Sequence, residues 1–345
     1  MEQVLKTCYD CNVEKPIDCF RSRKDSLDGH RGNCKDCQDR SHLDYRATLN
    51  GCITQLLSDA KSRCRKRSGE AAQFELGRKE IENMWEKQQG LCYYSNIPMT
   101  FKDSWKVSLE RLDQNLGYTK DNTVLICFEF QNQCNWSHDK ITEMLSILDQ
   151  NITSNFVSFE ANTTRKKPEK TVLHVINGIN HYHCNYCRVI KSEQEFKVGL
   201  LSMCNCCSNS SSKSFKETPR GRIKRLVDMA KTRVKRVGQS RKYMVVDINF
   251  EFLVKLYNDQ KGLCAYSGLP LKFGNYDKNN WLISLERKDV FKGYEKENVC
   301  LICIEFQATD YSVVKRDKPE SSLGWTKDKF QLFRESVSKP GKYIS

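Results

Sequence analysis

Eight cysteines of this chain fall into four Cys-x-x-Cys pairs: Cys8 with Cys11, Cys34 with Cys37, Cys184 with Cys187, and Cys204 with Cys207. The short spacing lets both sulfurs of a pair face one ion. Two pairs then supply four thiolates to a tetrahedral Zn2+ at about 2.3 Å each. Four sulfurs leave no open coordination position, so two structural Zn2+ sites are expected rather than catalytic ones. Disulfides or buried free thiols are the alternative. Cys206 competes as a ligand in the second set, while His181 and His183, just upstream, read as ordinary surface residues. Most of the remaining cysteines, such as Cys52, Cys64 and Cys127, sit in apolar patterns and read as core.

These pairs belong to a unit written twice. Phe20 follows Cys11 by nine residues, and Phe196 follows Cys187 by the same nine. Next, "ITQLLSDAKSRCRKRSG" lines up with "IKRLVDMAKTRVKRVGQ", and "FELGRKEIENMWEKQQGLCYYSNIPMTF" with "VDINFEFLVKLYNDQKGLCAYSGLPLKF". Then "SLERLDQNLGYTKDNTVLICFEFQ" (108–131) matches "SLERKDVFKGYEKENVCLICIEFQ" (284–307), with 15 of 24 positions identical. The "WSHDK" that starts at Trp136 matches the "WTKDK" that starts at Trp325. Blocks in one order with similar gaps mean a duplication. The polar stretch 151–172, rich in Asn, Ser, Thr and Lys, reads as the linker between copies.

The chain has 345 residues, 18 cysteines and a formal charge of +14. A balance this basic points to a polyanion, nucleic acid before acidic membrane. The start shows no basic-then-apolar signal, and no apolar run approaches the roughly 20 residues that cross a bilayer. An intracellular protein, cytoplasmic or nuclear, is expected, with no membrane partner. In the first basic block Ile53, Leu56, Leu57, Ala60 and Cys64 fall on one helical face, and Lys61, Arg63, Arg65, Lys66 and Arg67 crowd the other side. In the second, Ile223, Leu226, Val227, Ala230 and Val234 point inward, with Arg222, Lys224, Arg225, Lys231, Arg233, Lys235 and Arg236 outward. A solvated face with cations at a helix C-terminus would look alike. The scarcity of interleaved acids and the recurrence in both copies favour phosphate contacts, which set affinity and register but no base preference.

"VSLERLD" has strand character, "NLGYTKDN" is rich in turn residues, "TVLICF" is a strong β run, and "EFQNQ" begins a helix. "GLCYYSNIPM" precedes them as a turn over the hairpin. Gly117-Tyr118 and Gly293-Tyr294 shape its loop, the glycines by allowing positive φ and the tyrosines by covering the turn. This order and spacing resemble the HNH, or ββα-metal, endonucleases, including the endonuclease VII-like branch with cysteine-bound zinc. In that family an acidic residue and a residue opening the helix hold one divalent metal at the scissile phosphate. A histidine on the strand is the general base, and a loop asparagine fixes the hairpin. The resemblance places Glu110 and Glu286 in the acidic position, Asn122 and Asn298 in the loop position, and Gln131 and Gln307 as the helix ligand.

Arg111 and Arg287 stand where the histidine would be. An arginine cannot accept a proton near neutral pH, and loss of a positioned base removes about 10²–10⁴-fold in rate. Glu and Gln still offer oxygen to Mg2+ or Mn2+. Arg111 could clamp the phosphate, with the ion itself or another base activating water. Asp113 and Asp289 are the nearest candidates for that base, though a salt bridge to the adjacent arginine also explains them. The zinc that braces some family hairpins is not expected, because Ser95 and Phe130 stand with Cys92 and Cys127, and Ser267 and Phe306 with Cys264 and Cys303.

The expected fold is α+β: two tandem copies of a zinc ribbon, a basic helix and a ββα-metal core. The ribbons cover 1–45 and 173–212, and the helix-plus-core segments 46–150 and 213–345. The expected function is a metal-dependent endonuclease of double-stranded DNA, monomeric with an internal pseudo-dimer. A non-catalytic nucleic-acid-binding protein on a degenerate HNH fold is the alternative. Homing, restriction, junction resolution and viral genome processing would look alike in these residues.

Overall fold

The computed structural model describes residues 4–131, 136–150, 158, 173–176, 178–185, 189–237, 245–274, 279–289, 291–307 and 325–338. Apart from Ser158, the expected linker 151–172 lies outside them, as does the expected zinc ligand Cys187. The described residues form a mixed α+β protein with small antiparallel sheets and eight α-helices. They divide into two compact units, one ending at Gln131 and one running from beyond it to Ser338.

The first unit begins with two short antiparallel pairs, β1 (Leu5–Thr7) with β2 (Glu14–Pro16), and β3 (Phe20–Ser22) with β4 (His30–Cys34). Helix α1 (Lys35–Arg46) follows directly. Helix α2 (Leu49–Cys64) starts at Thr48, whose Oγ1 accepts the Gly51 N–H at 3.1 Å, a normal N-cap bond. The expected face of α2 is turned inward: Ile53, Ala60 and Cys64 are buried, and Leu56 and Leu57 are half-buried. Helix α3 (Arg78–Lys87) ends at Gln88, a buried glutamine that acts almost as an extra strand. Its Oε1 accepts the Leu125 N–H at 2.9 Å, and its Nε2 donates to the Leu125 carbonyl at 2.8 Å.

Gln88 thereby fixes the hairpin, β5 (Val107–Arg111) against β6 (Thr123–Cys127), with Glu110 opposite Val124 and Arg111 opposite Thr123. Leu109, Leu125, Ile126 and Cys127 are buried. The turn at Cys92 covers the hairpin as expected, the Tyr93 N–H reaching the Leu125 carbonyl at 3.0 Å.

Two sequence expectations fail here. "EFQNQ" does not open an α-helix within the described residues: it makes one 3-10 turn, Phe128–Phe130, and Gln131 leaves helical geometry at φ −80°, ψ 67°. The rest of the expected helix, Asn132 and Gln133, lies outside the described residues; the buried side chain of Glu129 accepts the Trp105 N–H at 2.9 Å through Oε1 and ties the turn to the preceding loop. Nor does Gly117 need positive φ. The Tyr118 N–H bonds the Gln73 carbonyl at 3.0 Å, and a Cβ on Gly117 would lie 2.0 Å from that oxygen. The glycine is there for close backbone approach, as Gly293 is against Val245.

The second unit opens with α4 (His138–Asp149), the helix of the "WSHDK" block and the counterpart of the chain's last helix, and then repeats the plan. Its ribbon part holds a three-stranded sheet, β7 (Leu173–Ile176), β8 (Ile179–His183) and β9 (Ile190–Ser192), and the pair β10 (Phe196–Lys197) and β11 (Leu200–Cys204). Helices α5 (Asn205–Glu217), α6 (Pro219–Val237) and α7 (Phe250–Asp259) lead to the hairpin β12 (Ile283–Arg287) and β13 (Val299–Cys303). Gln260 clamps Leu301 as Gln88 clamps Leu125. Arg222 of α6, expected outward, is buried, its Nη2 3.3 Å from the Ile283 carbonyl. It ties the helix to the hairpin instead of facing solvent.

Helix α8 (Lys327–Val337) closes the unit beside α4. Trp136 packs against Trp281, Phe306, Trp325 and Phe333 with ring centroids 5.9–6.1 Å apart. Within this aromatic cluster the buried Lys140 Nζ lies 3.0 Å from the buried Glu305 Oε1, which also accepts the Trp281 N–H at 2.9 Å. No helix of the described residues is long and apolar enough to cross a membrane.

Candidate functional site

The sulfurs of Cys8, Cys11, Cys34 and Cys37 all lie within 4.8 Å of one another. A tetrahedral Zn2+ with bonds of about 2.3 Å needs sulfurs about 3.8 Å apart, so the donor set fits. The turn at Cys8 explains how the chain gathers them. Its N–H bonds the Val13 carbonyl at 3.1 Å, its carbonyl accepts the Asn12 N–H at 2.9 Å, and Asn12 takes φ 55°. The Cys34 N–H then points at Cys8 Sγ, 3.2 Å away. Backbone hydrogen bonds from Cys11 and Cys34 hold the Cys8 thiol down to about 6, the direction a metal-binding thiolate needs. Lys15 adds positive charge, its Nζ 3.5 Å from Cys34 Sγ.

The second cluster gathers Cys184, Cys204 and Cys207 within the same 4.8 Å, around an equivalent turn closed by Cys184 N–H to Val189 at 3.0 Å. Cys206 is exposed and outside the group, and the half-buried His181 and His183 on β8 are outside it too. Both clusters could hold a metal ion such as Zn2+. None of the described cysteines is in a disulfide.

At the hairpins, four expected residues come together with two that sequence reasoning missed. Gln131 Nε2 donates to Glu110 Oε2 at 2.7 Å, and Ser108 Oγ holds Gln131 Oε1 at 2.7 Å. Burial pushes the Glu110 carboxyl above the ordinary glutamate range, against the pull of Gln131, Arg111 and Arg63. Tyr94 is the second missed residue. Burial and the neighbouring Glu110 carboxylate push its phenol up, so it stays protonated. Position 108 faces the same side of β5 as position 110, a period-two signal that could have found Ser108.

Arg111 turns into the loop. Its Nη1 donates to the Gln114 and Leu116 carbonyls, both at 2.6 Å, and its guanidinium lies 5.5 Å from the centre of the Tyr118 ring. Arg287 does the same with the Lys292 carbonyl at 3.0 Å and the Tyr294 ring at 5.3 Å. Asn122 is buried and braces that loop: Oδ1 accepts the Asp113 N–H at 2.7 Å, and Nδ2 donates to the Asp113 and Gly117 carbonyls, both at 2.9 Å. Asn298 repeats all three bonds. Asp113 and Asp289 use Oδ1 to accept the backbone N–H of Asn115 and Phe291.

The basic helices reach the same place. Arg63 Nη1 lies 3.3 Å from the Tyr118 hydroxyl, and Arg233 Nη1 3.4 Å from that of Tyr294. Lys61, Arg65 and Lys66 are exposed and Arg67 is half-buried beyond the end of α2; Lys231, Lys235 and Arg236 are exposed on α6. In the second hairpin Cys300 lies across from Glu286 where the first has Val124. Burial and Glu286 push the Cys300 thiol up to about 12. No protein-family model matches this chain, and no curated protein matches it.

Proposed function

We propose that the chain is a metal-dependent endonuclease of the HNH type, with two tandem ribbon-helix-hairpin copies that act on double-stranded DNA. The observation that carries this reading is the hairpin that sets Glu110 and Gln131 side by side, 2.7 Å apart, with Arg63 of a basic helix near the carboxylate. Glu110 and Gln131 would hold a hard cation through oxygen. When bound, such an ion neutralises charge developing on the phosphodiester. The exposed cations of α2 and α6 hold the DNA backbone, while Asn122, Arg111 and Tyr118 keep the loop and Glu110 in register. The cysteine clusters, loaded with Zn2+, are structural.

A non-catalytic DNA-binding protein is the second reading, and the lack of a positioned base favours it. The arginines in the base position are tied to loop carbonyls, Tyr94 stays protonated, and Asp113 is occupied by Asn115. Any cleavage would therefore be slower by about 10²–10⁴-fold than with a positioned base.

The test is nicking of supercoiled plasmid with Mg2+, Mn2+ or EDTA, beside the Glu110→Ala/Glu286→Ala double variant. Metal-dependent nicking lost in the variant supports the nuclease. Intact plasmid together with gel shifts that weaken in salt supports the binder. Binding indifferent to salt sinks both.

A further inference from the structure

The two hairpin sites are near twins in sequence, yet their glutamines make different contacts. In the first, Ser108 Oγ bonds Gln131 Oε1, and Gln131 Nε2 turns to Glu110 Oε2. In the second, Ser284 Oγ likewise bonds Gln307 Oε1, yet Gln307 Nε2 donates to the Leu285 carbonyl at 2.9 Å. The difference begins in the backbone, where ψ is 67° at Gln131 and 122° at Gln307.

The chemistry of the partners decides what each amide can do. A hydroxyl both donates and accepts, so Ser108 tolerates either end of the Gln131 amide. Turned over, Gln131 would give Nε2 to Ser108 and set Oε1 beside Glu110 Oε2. Two such oxygens repel unless a cation joins them. Oxygens on adjacent corners of an octahedral ion with bonds of about 2.1 Å lie about 3.0 Å apart, a few tenths from the 2.7 Å already present. Gln307 has no such freedom. A backbone carbonyl only accepts, so turning the amide would press its oxygen against that of Leu285. Across from Glu286, moreover, stands the Cys300 thiol in place of Val124.

We infer that the two sites are unequal: the Glu110–Gln131 pair takes one divalent cation of the Mg2+ or Mn2+ class, and the Glu286–Gln307 pair takes none. The inference rests on the nuclease reading for the kind of ion, and its consequence is one cutting centre per chain and a nicked product. The second copy then serves to hold DNA.

The deciding measurement is a titration of the zinc-loaded full chain with Mn2+, following free Mn2+ by electron paramagnetic resonance. One tight site is expected. Glu110→Ala and Gln131→Leu should each weaken it by more than about tenfold, since loss of even an outer partner costs a metal site about 10–100-fold. Gln131→Glu, which keeps an oxygen toward Glu110, should retain it and so separate ligand loss from misfolding. Gln307→Leu should leave the stoichiometry at one. Two equivalent sites, a site that survives Glu110→Ala, or no Mn2+ binding at all would each overturn the inference. A chain that binds one Mn2+ through Glu110 yet never nicks DNA sinks the nuclease reading alone; nicking by a chain with two equal Mn2+ sites sinks the inference alone.

Discussion

Asn122 offers the sharpest test of how the hairpin site is held. Its side chain makes three hydrogen bonds to loop backbone, with the Asp113 N–H, the Asp113 carbonyl and the Gly117 carbonyl, and it is only 6% exposed. Asn122→Ala deletes all three and strands their backbone partners, of which the Gly117 carbonyl is buried. At about 1 kcal/mol net per neutral bond the loss is about 3 kcal/mol. Asn122→Asp keeps the acceptor for Asp113 but turns a second oxygen on two carbonyl oxygens. At pH 7 it should cost at least as much as alanine. It should recover part of the loss in acid, where the protonated carboxyl donates again. Urea unfolding followed by tryptophan fluorescence reads both, since Trp85 and Trp105 lie in the same unit. An alanine cost under about 1 kcal/mol, or an aspartate variant equal to the native chain at neutral pH, would refute the bracing role.

Three further outcomes are expected. Lys140→Met leaves the buried Glu305 carboxylate beside aromatic rings without its cation 3.0 Å away, and should destabilise the second unit by about 3–5 kcal/mol in denaturant titrations; a cost below about 1 kcal/mol would exclude the pair as a support for α4. Because burial raises the Glu110 carboxyl, a proton competes with metal there at higher pH than at an ordinary glutamate. Mn2+ affinity should then fall, as pH drops, already through the window between the raised value and the ordinary one; the same burial makes the ionised form a cost to folding, so the first unit should gain stability over that fall. The purified chain should hold two Zn2+ by elemental analysis and Cys34→Ala one, and a native chain without zinc would remove both clusters from the account.

The sequence exposed whatever repeats with a short period or a fixed spacing. The strand-like "VSLERLD" and the apolar run "TVLICF" on either side of turn residues marked β5 and β6, and Cys-x-x-Cys spacing gathered the sulfurs of Cys8, Cys11, Cys34 and Cys37. It hid what depends on a single long-range partner. Arg222 sits in a run of exposed cations and differs from them only by reaching the Ile283 carbonyl, 61 residues away. Glu129 lies in "FEF", and its carboxylate meets the Trp105 amide 24 residues back, a bond that ties the 3-10 turn Phe128–Phe130 to the preceding loop. The arginine in the base position was legible as the wrong group for proton transfer, but its loop carbonyl partners were not, because no spacing rule announces them.

One backbone turn occurs four times among the described residues. The Cys92 N–H bonds the Ile97 carbonyl at 2.9 Å and the Cys264 N–H that of Leu269 at 2.8 Å, as Cys8 and Cys184 do in the clusters. The second cysteine's N–H meets the first one's sulfur at 3.2 Å in Cys127–Cys92 and 3.3 Å in Cys303–Cys264. Only the other two positions change, to Ser95 with Phe130 and Ser267 with Phe306, both phenylalanines buried. The same turn thus serves two kinds of position: one where thiols gather closely enough to take an ion, and one where a serine and a buried phenylalanine stand in the other two places. Chelator should therefore loosen the chain at its ribbons and spare its hairpins, and cysteines returned at positions 95 and 130 would give an engineer a metal-gated handle on the Glu110 hairpin without redrawing the backbone.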